Sequence, residues 1–337
     1  MAPTRRLGLC RVRPIKTSTR AFILYCNGLW DEAIGGGGDC SIFGFKHATA
    51  FFCSWKATSA LFLLFGDSLA DNGNNNVLII DTLAKVNYNP YGIDFPGGAA
   101  TGRFNNGRTT VDVLSELLGL DNYIPPFAFV NGSDILKGVN YACGAAGIRK
   151  ESGSNWVQES AWANILIKQY SWEILRLYKY GARKVALVGL GLIGCTPSAI
   201  SSYGTNGSAC VDVLNIAAQQ FNQRLISLVD QLNSNLTDAK FIYINSFEMG
   251  SGDPAAAGFT VSNVGCCAVN EVGQCHLDRA PCKNRTEYVF WDGFHPTEAL
   301  NRITAIRSYS AFSPADTYPM DISRLVQLQI NPSTLAT

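Results

Sequence analysis

Two β-rich runs, KVALVGL (184–190) and KFIYIN (240–245), bracket VLNIAAQQFNQRLISLVDQL (213–232), which places apolar residues at helical spacing for five turns. A strand, helix, strand unit of this length joins parallel strands, because a tight turn cannot return the chain to the starting end of a neighbouring strand. Parallel sheets need cover on both faces, so the unit predicts a sheet with helices on two sides. ALFLLF (60–65) reads as a third strand. ANILIKQYSWEILRLYKYGARK (163–184) reads as an amphipathic helix that stops at Gly181 and feeds the 184–190 strand, and a weaker helix is expected near 320–329. With 337 residues, 47% of them hydrophobic and 16% charged, the chain has enough apolar material for a sizeable α/β core.

A net charge of +1 leaves no electrostatic footprint for nucleic acid, and no stretch reaches the 18 or so unbroken apolar residues of a membrane span. Eleven cysteines are many for a cytosolic enzyme. Cys266, Cys267, Cys275 and Cys282 cluster late, and Cys195 and Cys210 bracket a polar loop, so disulfides are the expected reading. Zinc is the rival, but there are three histidines (His47, His276, His295) and no paired C-x-x-C knuckles, so no metal or cofactor is expected. Sequons at Asn131, Asn206, Asn235 and Asn284 agree with a secreted, glycosylated product. The N-terminus fits less well. Residues 1–20 carry six Lys and Arg without an acid, AFILYC is short for the apolar core of a signal peptide, and GGGGDCS (35–41) reads as a linker. Residues 1–58 are therefore expected to lie outside the fold, as a transit-like extension or a mispredicted stretch, with one domain over 59–330.

LFLLFGDSLADNGNNN (61–76) ends a strand on Gly66-Asp67-Ser68-Leu69 and turns abruptly polar. In open α/β sheets ligands sit beyond the carboxyl ends of the strands, which is where Ser68 falls, although a serine there can simply cap the next helix. YVFWDGFHPTEALNRI (288–303) sets Asp292 three residues before His295, in a turn ahead of a helix that Pro296 would start. A serine hydroxyl becomes a good nucleophile when a base takes its proton, and that base needs a carboxylate to fix its tautomer. Gly189-x-Gly191-x-x-Gly194 follows a strand as a dinucleotide-binding turn does, but Cys195-Thr196-Pro197 and a polar loop come next where a helix is needed under a pyrophosphate, so the nicotinamide reading is set aside.

FGDSLADNGNN, NPYGIDFPGGAATGRFNNGRTTVDVLSELLGL, GVNYACGAAGI, GARKVALVGLGLIGCTPSA, GCCAV and FWDGFHPTEA, in that order, resemble the plant GDSL esterase/lipase family of the SGNH-hydrolase superfamily over roughly 61–330. The resemblance implies a flavodoxin-like three-layer α/β/α sandwich with a mostly parallel sheet, and a secreted enzyme that hydrolyses carboxylic esters on small molecules or lipids. It implies Ser68 as nucleophile, His295 as general base and Asp292 as the carboxylate that orients it. For the oxyanion hole it implies the backbone N–H of Ser68, a backbone N–H from Gly144-Ala145-Ala146-Gly147 (Gly144 or Ala145), and an Asn side chain from a G-x-N-D block.

That third block is missing. Between YACGAAGIRKESGSNW (141–156) and the helix at 163 no apolar strand is visible, and in Gly153-Ser154-Asn155 the acid of the block is replaced by Trp156. The expectation is therefore a sheet short of one strand and an esterase impaired at its oxyanion hole, with Asn155 a poor substitute. The alternative is a catalytically silent lipid- or carbohydrate-binding relative on the same fold.

Overall fold

The apolar runs become the strands of one six-stranded sheet. The computed structural model describes residues 21–25 (as backbone), 61–78, 84–131, 135, 138–148 and 162–330. In chain order the strands are β1 (Ala21–Tyr25), β2 (Leu61–Phe65), β3 (Val139–Asn140), β4 (Ala182–Val188), β5 (Lys240–Ile244), β6 (Val261–Gly265), β7 (Tyr288–Phe290) and β8 (Thr317–Tyr318). The main sheet runs β3-β2-β1-β4-β5-β8, parallel throughout except for the antiparallel edge pair β5–β8, while β6 and β7 form a separate parallel pair.

Helices cover both faces. On one side α2 (Trp162–Lys179) and α4 (Asp212–Asn235) pack Tyr170, Ile174, Phe221, Leu225 and Val229 against Phe65, Val185, Leu187, Phe241 and Tyr243. On the other, α1 (Thr110–Leu117), the short α5 (Ser246–Gly250), α6 (Glu298–Tyr309) and α7 (Ile322–Gln327) pack Val111, Leu114, Met249, Ala305, Ile322 and Leu325 against Phe62, Leu64, Ala186, Ile242 and Ile244. The alternation along β5, with Phe241 and Tyr243 on one face and Ile242 and Ile244 on the other, explains why its sequence reads as a continuous apolar run. Each large side chain buried this way contributes roughly 1.5–3 kcal/mol. α1 starts on a capping box in which Thr109 Oγ1 accepts from Asp112 N–H and Asp112 accepts from Thr109 N–H.

One expectation fails. AFILY, read from sequence as lying outside the fold, forms β1 at the centre of the sheet, with Tyr25 level with Phe65 of β2 on one side and Leu187 of β4 on the other. One of the six strands of the sheet thus comes from the segment expected to lie outside it. Five continuous apolar residues are too few for a signal core but match the length of an interior parallel strand, and that competing reading prevails. A domain beginning at 59 omits this strand. The rest of the N-terminal segment, 1–20 and 26–60, and Gly153, Ser154 and Asn155 lie outside the described residues.

Candidate active site

Ser68 stands three residues beyond the end of β2, in a turn made by its own neighbours. Asp67 O accepts from the N–H groups of Ala70 (3.2 Å) and Asp71 (3.0 Å), and Asp67 Oδ1 accepts from Leu69 N–H (2.9 Å). Burial pushes the Asp67 carboxyl up, partly offset by the Leu69 N–H and by His295. Ser68 caps no α-helix: the next helical element is a single 3-10 turn at Asn74–Val77.

The polar run after Ser68 replaces secondary structure with buried side-chain hydrogen bonds. Asp71 Oδ1 accepts from the N–H groups of Gly73 (2.8 Å) and Asn74 (2.9 Å), and its Oδ2 accepts from Gly144 N–H (2.8 Å). Asn74 Nδ2 donates to the carbonyls of Asn140 and Ala142, both at 2.8 Å, and Asn140 Nδ2 donates to Ala70 O (2.7 Å) and Asn72 Oδ1 (3.0 Å). Asp71, Asn72, Asn74 and Asn140 are all buried, so each bond meets a demand that water cannot reach. Together with Cys143 N–H on Gly66 O (3.0 Å), the network fastens the segment after β3 to the turn that carries Ser68. Burial pushes the Asp71 carboxyl up to about 7, against the opposing pull of its three N–H donors and Arg103.

This network separates the two candidate oxyanion donors. Gly144 N–H is committed to Asp71. Ala145 N–H and Ser68 N–H have no protein acceptor among the described residues, and Ala145 is exposed. Ala145 adopts a left-handed backbone (φ +67°), a conformation that costs a residue with a Cβ roughly 1–2 kcal/mol. Gly144 is glycine for a steric reason: a Cβ there would lie 2.6 Å from Phe104 Cζ and 2.7 Å from Asn75 Nδ2.

β7 delivers the other half of the site. Beyond Phe290 the chain turns, and Asp292 Oδ1 accepts from the N–H groups of Phe294 and His295, each at 2.8 Å. His295 Nδ1 lies 2.8 and 2.9 Å from the two carboxylate oxygens, and its Nε2 lies 2.8 Å from Ser68 Oγ. Residues 227 apart in sequence thus form one hydrogen-bonded chain, with Asp292 fully buried, His295 nearly so and Ser68 partly open. Such a chain can relay a proton from a hydroxyl to an imidazole held in one tautomer. Pro296 does not start the following helix: α6 begins at Glu298 with Thr297 as its cap, because Pro296 bridges back to Phe290.

Sequence reasoning missed Tyr91, whose hydroxyl donates to Asp292 Oδ2 at 2.7 Å and accepts from Cys275 N–H at 3.1 Å. Its only sequence signal is its place in NPYGIDFP, one of the stretches that carry the family resemblance. Cystines hold the segment around it, pairing Cys266–Cys282 and Cys267–Cys275, while Cys195–Cys210 closes the polar loop they bracket. No group of three or more metal-ligating side chains occurs among the described residues.

The glycines of the 189–194 turn are spent on packing. A Cβ at Gly189 would meet the Tyr243 hydroxyl at 2.5 Å, and one at Gly194 would meet Val211 O at 2.3 Å. A helix does follow, α3 (Pro197–Tyr203), but it is seven residues long and starts three residues past Gly194.

Comparison with known proteins gives the same grouping of residues a wider context. The family described as GDSL-like lipase/acylhydrolase matches residues 62–171 and 158–307. Two Arabidopsis thaliana proteins named GDSL esterase/lipase, At1g29670 and At1g29660, are 44% and 42% identical to the chain, over 81% and 79% of it and 93% and 91% of their own lengths. Arabidopsis GDSL esterase/lipase 7 is 36% identical over 79% of the chain and 92% of its own length. Similarity of this depth and extent, spanning the turn of Ser68 and the turn of His295 alike, places the chain in the GDSL-like lipase/acylhydrolase family.

Proposed function

We propose that the protein is a serine ester hydrolase in which Ser68 is the nucleophile, His295 the general base and Asp292 the carboxylate that orients it. The observation that carries this reading is the 2.8 Å approach of His295 Nε2 to Ser68 Oγ, with Nδ1 turned onto a buried carboxylate. Ser68 Oγ attacks the ester carbonyl while Nε2 takes its proton. The same proton then goes to the departing alcohol, and an acyl-enzyme remains on Ser68. Water, deprotonated by His295, attacks this ester, and as the acid leaves the imidazolium returns the proton to Ser68 Oγ. The oxyanion of each tetrahedral intermediate rests on the free N–H groups of Ser68 and Ala145.

Gly144 N–H serves Asp71 in this reading, which leaves two donors, since the G-x-N-D block is absent from the sequence between 148 and 162. A missing donor costs about 2.7–4 kcal/mol of transition-state stabilisation, or 10²–10³ in rate, so the enzyme is slow for its architecture. The same deficit favours the second reading, a silent lipid- or carbohydrate-binding protein. Leu69 and Phe294, exposed beside Ser68 and His295, give the acyl group of a small-molecule or lipid ester an apolar surface. Secretion and glycosylation are supported by the three cystines and by the exposure of all four sequon asparagines, Asn131, Asn206, Asn235 and Asn284. No helix among the described residues is long and apolar enough to cross a membrane.

Hydrolysis of p-nitrophenyl acetate and butyrate, with Ser68→Ala alongside, tests the proposal. Turnover that depends on Ser68 supports the esterase. Equal rates for the two proteins favour the silent relative.

A further inference from the structure

Asp292 is the most heavily hydrogen-bonded carboxylate near Ser68, and one of its donors comes from far outside its own turn. Phe294 N–H, His295 N–H and His295 Nδ1 are local, but the Tyr91 hydroxyl arrives from 201 positions away and reaches Oδ2 at 2.7 Å. The proton of that hydroxyl faces two acceptors, the Asp292 carboxylate at 2.7 Å and the neighbouring Tyr88 hydroxyl, and the charged one is the stronger. Cys275 N–H already donates to Tyr91 Oη at 3.1 Å, and an ionised carboxylate offers acceptors only, so Tyr91 must donate to Asp292. Burial, and then the negative charge of Asp292, push the phenol far above its ordinary range, which keeps it a donor at any working pH.

The hydroxyl is also held from behind. Tyr91 is fully buried among Phe104, Trp291, Cys266, Cys267 and Cys275. Its N–H partner, Cys275, is tied by the Cys267–Cys275 disulfide, and Cys267 N–H donates in turn to Trp291 O at 2.9 Å, next to Asp292. The cystine-closed segment, the tyrosine and the aspartate form one closed circuit of contacts.

We infer that Tyr91 is a positioning residue of the proton relay: it fixes the Asp292 carboxylate, and through it the ring of His295, against a support formed by the cystine-closed segment. The inference rests on the ester-hydrolase reading for its kinetic consequence, but not for its structural one.

Tyr91→Phe removes the hydroxyl and keeps the ring. On p-nitrophenyl butyrate the expected result is a fall in kcat of about ten-fold or more, with KM within about two-fold, since Tyr91 is buried and out of reach of substrate. In proton NMR the far-downfield signal of the His295 Nδ1 proton, identified by its loss in His295→Ala, shifts or broadens. The control is Val86→Ala, which loosens the same buried cluster and removes no hydrogen-bonding group. It should leave kcat and the downfield signal in place. An unchanged kcat and signal in Tyr91→Phe overturn the inference, as does an equal loss in Val86→Ala, which would mean that loosening the cluster is enough. Wild-type turnover no faster than Ser68→Ala would sink the ester-hydrolase reading alone, and the NMR signal then decides the role of Tyr91. Difluorotyrosine at position 91, which keeps the packing and makes a stronger donor, moves the same signal and serves if Tyr91→Phe does not fold.

Discussion

Asp292→Asn changes one atom of the site and tests how the imidazole is held. Two backbone N–H groups, from Phe294 and His295, converge on Oδ1 at 2.8 Å, so the amide oxygen of the asparagine takes that position. Its NH2 then faces the Tyr91 hydroxyl and His295 Nδ1. Nδ1 lies 2.8 Å from that NH2 and 2.9 Å from the amide oxygen, and it meets the nearer N–H donor by becoming an acceptor, which moves the ring proton to Nε2, the atom 2.8 Å from Ser68 Oγ. A protonated Nε2 cannot take a proton from serine. The expected loss in kcat is about 10³–10⁴-fold, equivalent to roughly 4–5.5 kcal/mol of activation free energy at 1.36 kcal/mol per decade. Stability should fall by much less, about 1–3 kcal/mol, because the main penalty is the Tyr91 hydroxyl proton left without its carboxylate. The assay is steady-state hydrolysis of p-nitrophenyl butyrate at saturating substrate beside urea unfolding of both proteins. If Asp292→Asn keeps its fold and retains kcat within ten-fold of wild type, the tautomer argument is wrong.

Burial of Asp71, with its carboxyl raised to about 7, makes the folded state hold a proton that the unfolded chain releases near pH 4. This contribution to stability is complete below about pH 4 and is lost as pH rises through about 7, so urea titrations should show Asp71→Asn with a flatter decline over that window; parallel pH profiles would refute it. Gly144→Ala forces a Cβ within 2.6 Å of Phe104, and should cost about 1–3 kcal/mol by thermal unfolding, whereas a neutral substitution would show that the contact can relax. A chain that begins at residue 59 lacks β1, and should show no cooperative unfolding transition by circular dichroism, because removing the strand between β2 and β4 splits the sheet in two; cooperative unfolding would show that AFILY is dispensable.

The parts of the molecule legible in its sequence are those whose signal is local and long. β2, β4 and β5 are apolar runs, α2 and α4 hold helical spacing for four turns or more, and both appear within a few residues of their expected ends. The turns of Ser68 and of Asp292 and His295 could be singled out because their residue types point to one chemistry. What escaped depends on distant partners. AFILY reads as part of an odd leader until β2 and β4 are placed on either side of it. The use of Gly144 N–H is decided by Asp71, 73 positions away, and the role of Tyr91 by a carboxylate 201 positions away. β3 and β8 are two residues each, too short to carry any periodicity. Pro296 looked like a helix start because its ring suits that position, but its bridge to Phe290 delays α6 by two residues.

The central claim is that Ser68 carries the acyl group. Acid-quenched mixing of the protein with p-nitrophenyl butyrate, followed by mass spectrometry of the proteolytic fragments, reads this directly. The account predicts a butyryl adduct on the peptide that contains Ser68, formed with the first release of p-nitrophenol and absent from Ser68→Ala. Turnover at the wild-type rate by Ser68→Ala, or release of p-nitrophenol with the adduct on another residue, would contradict it.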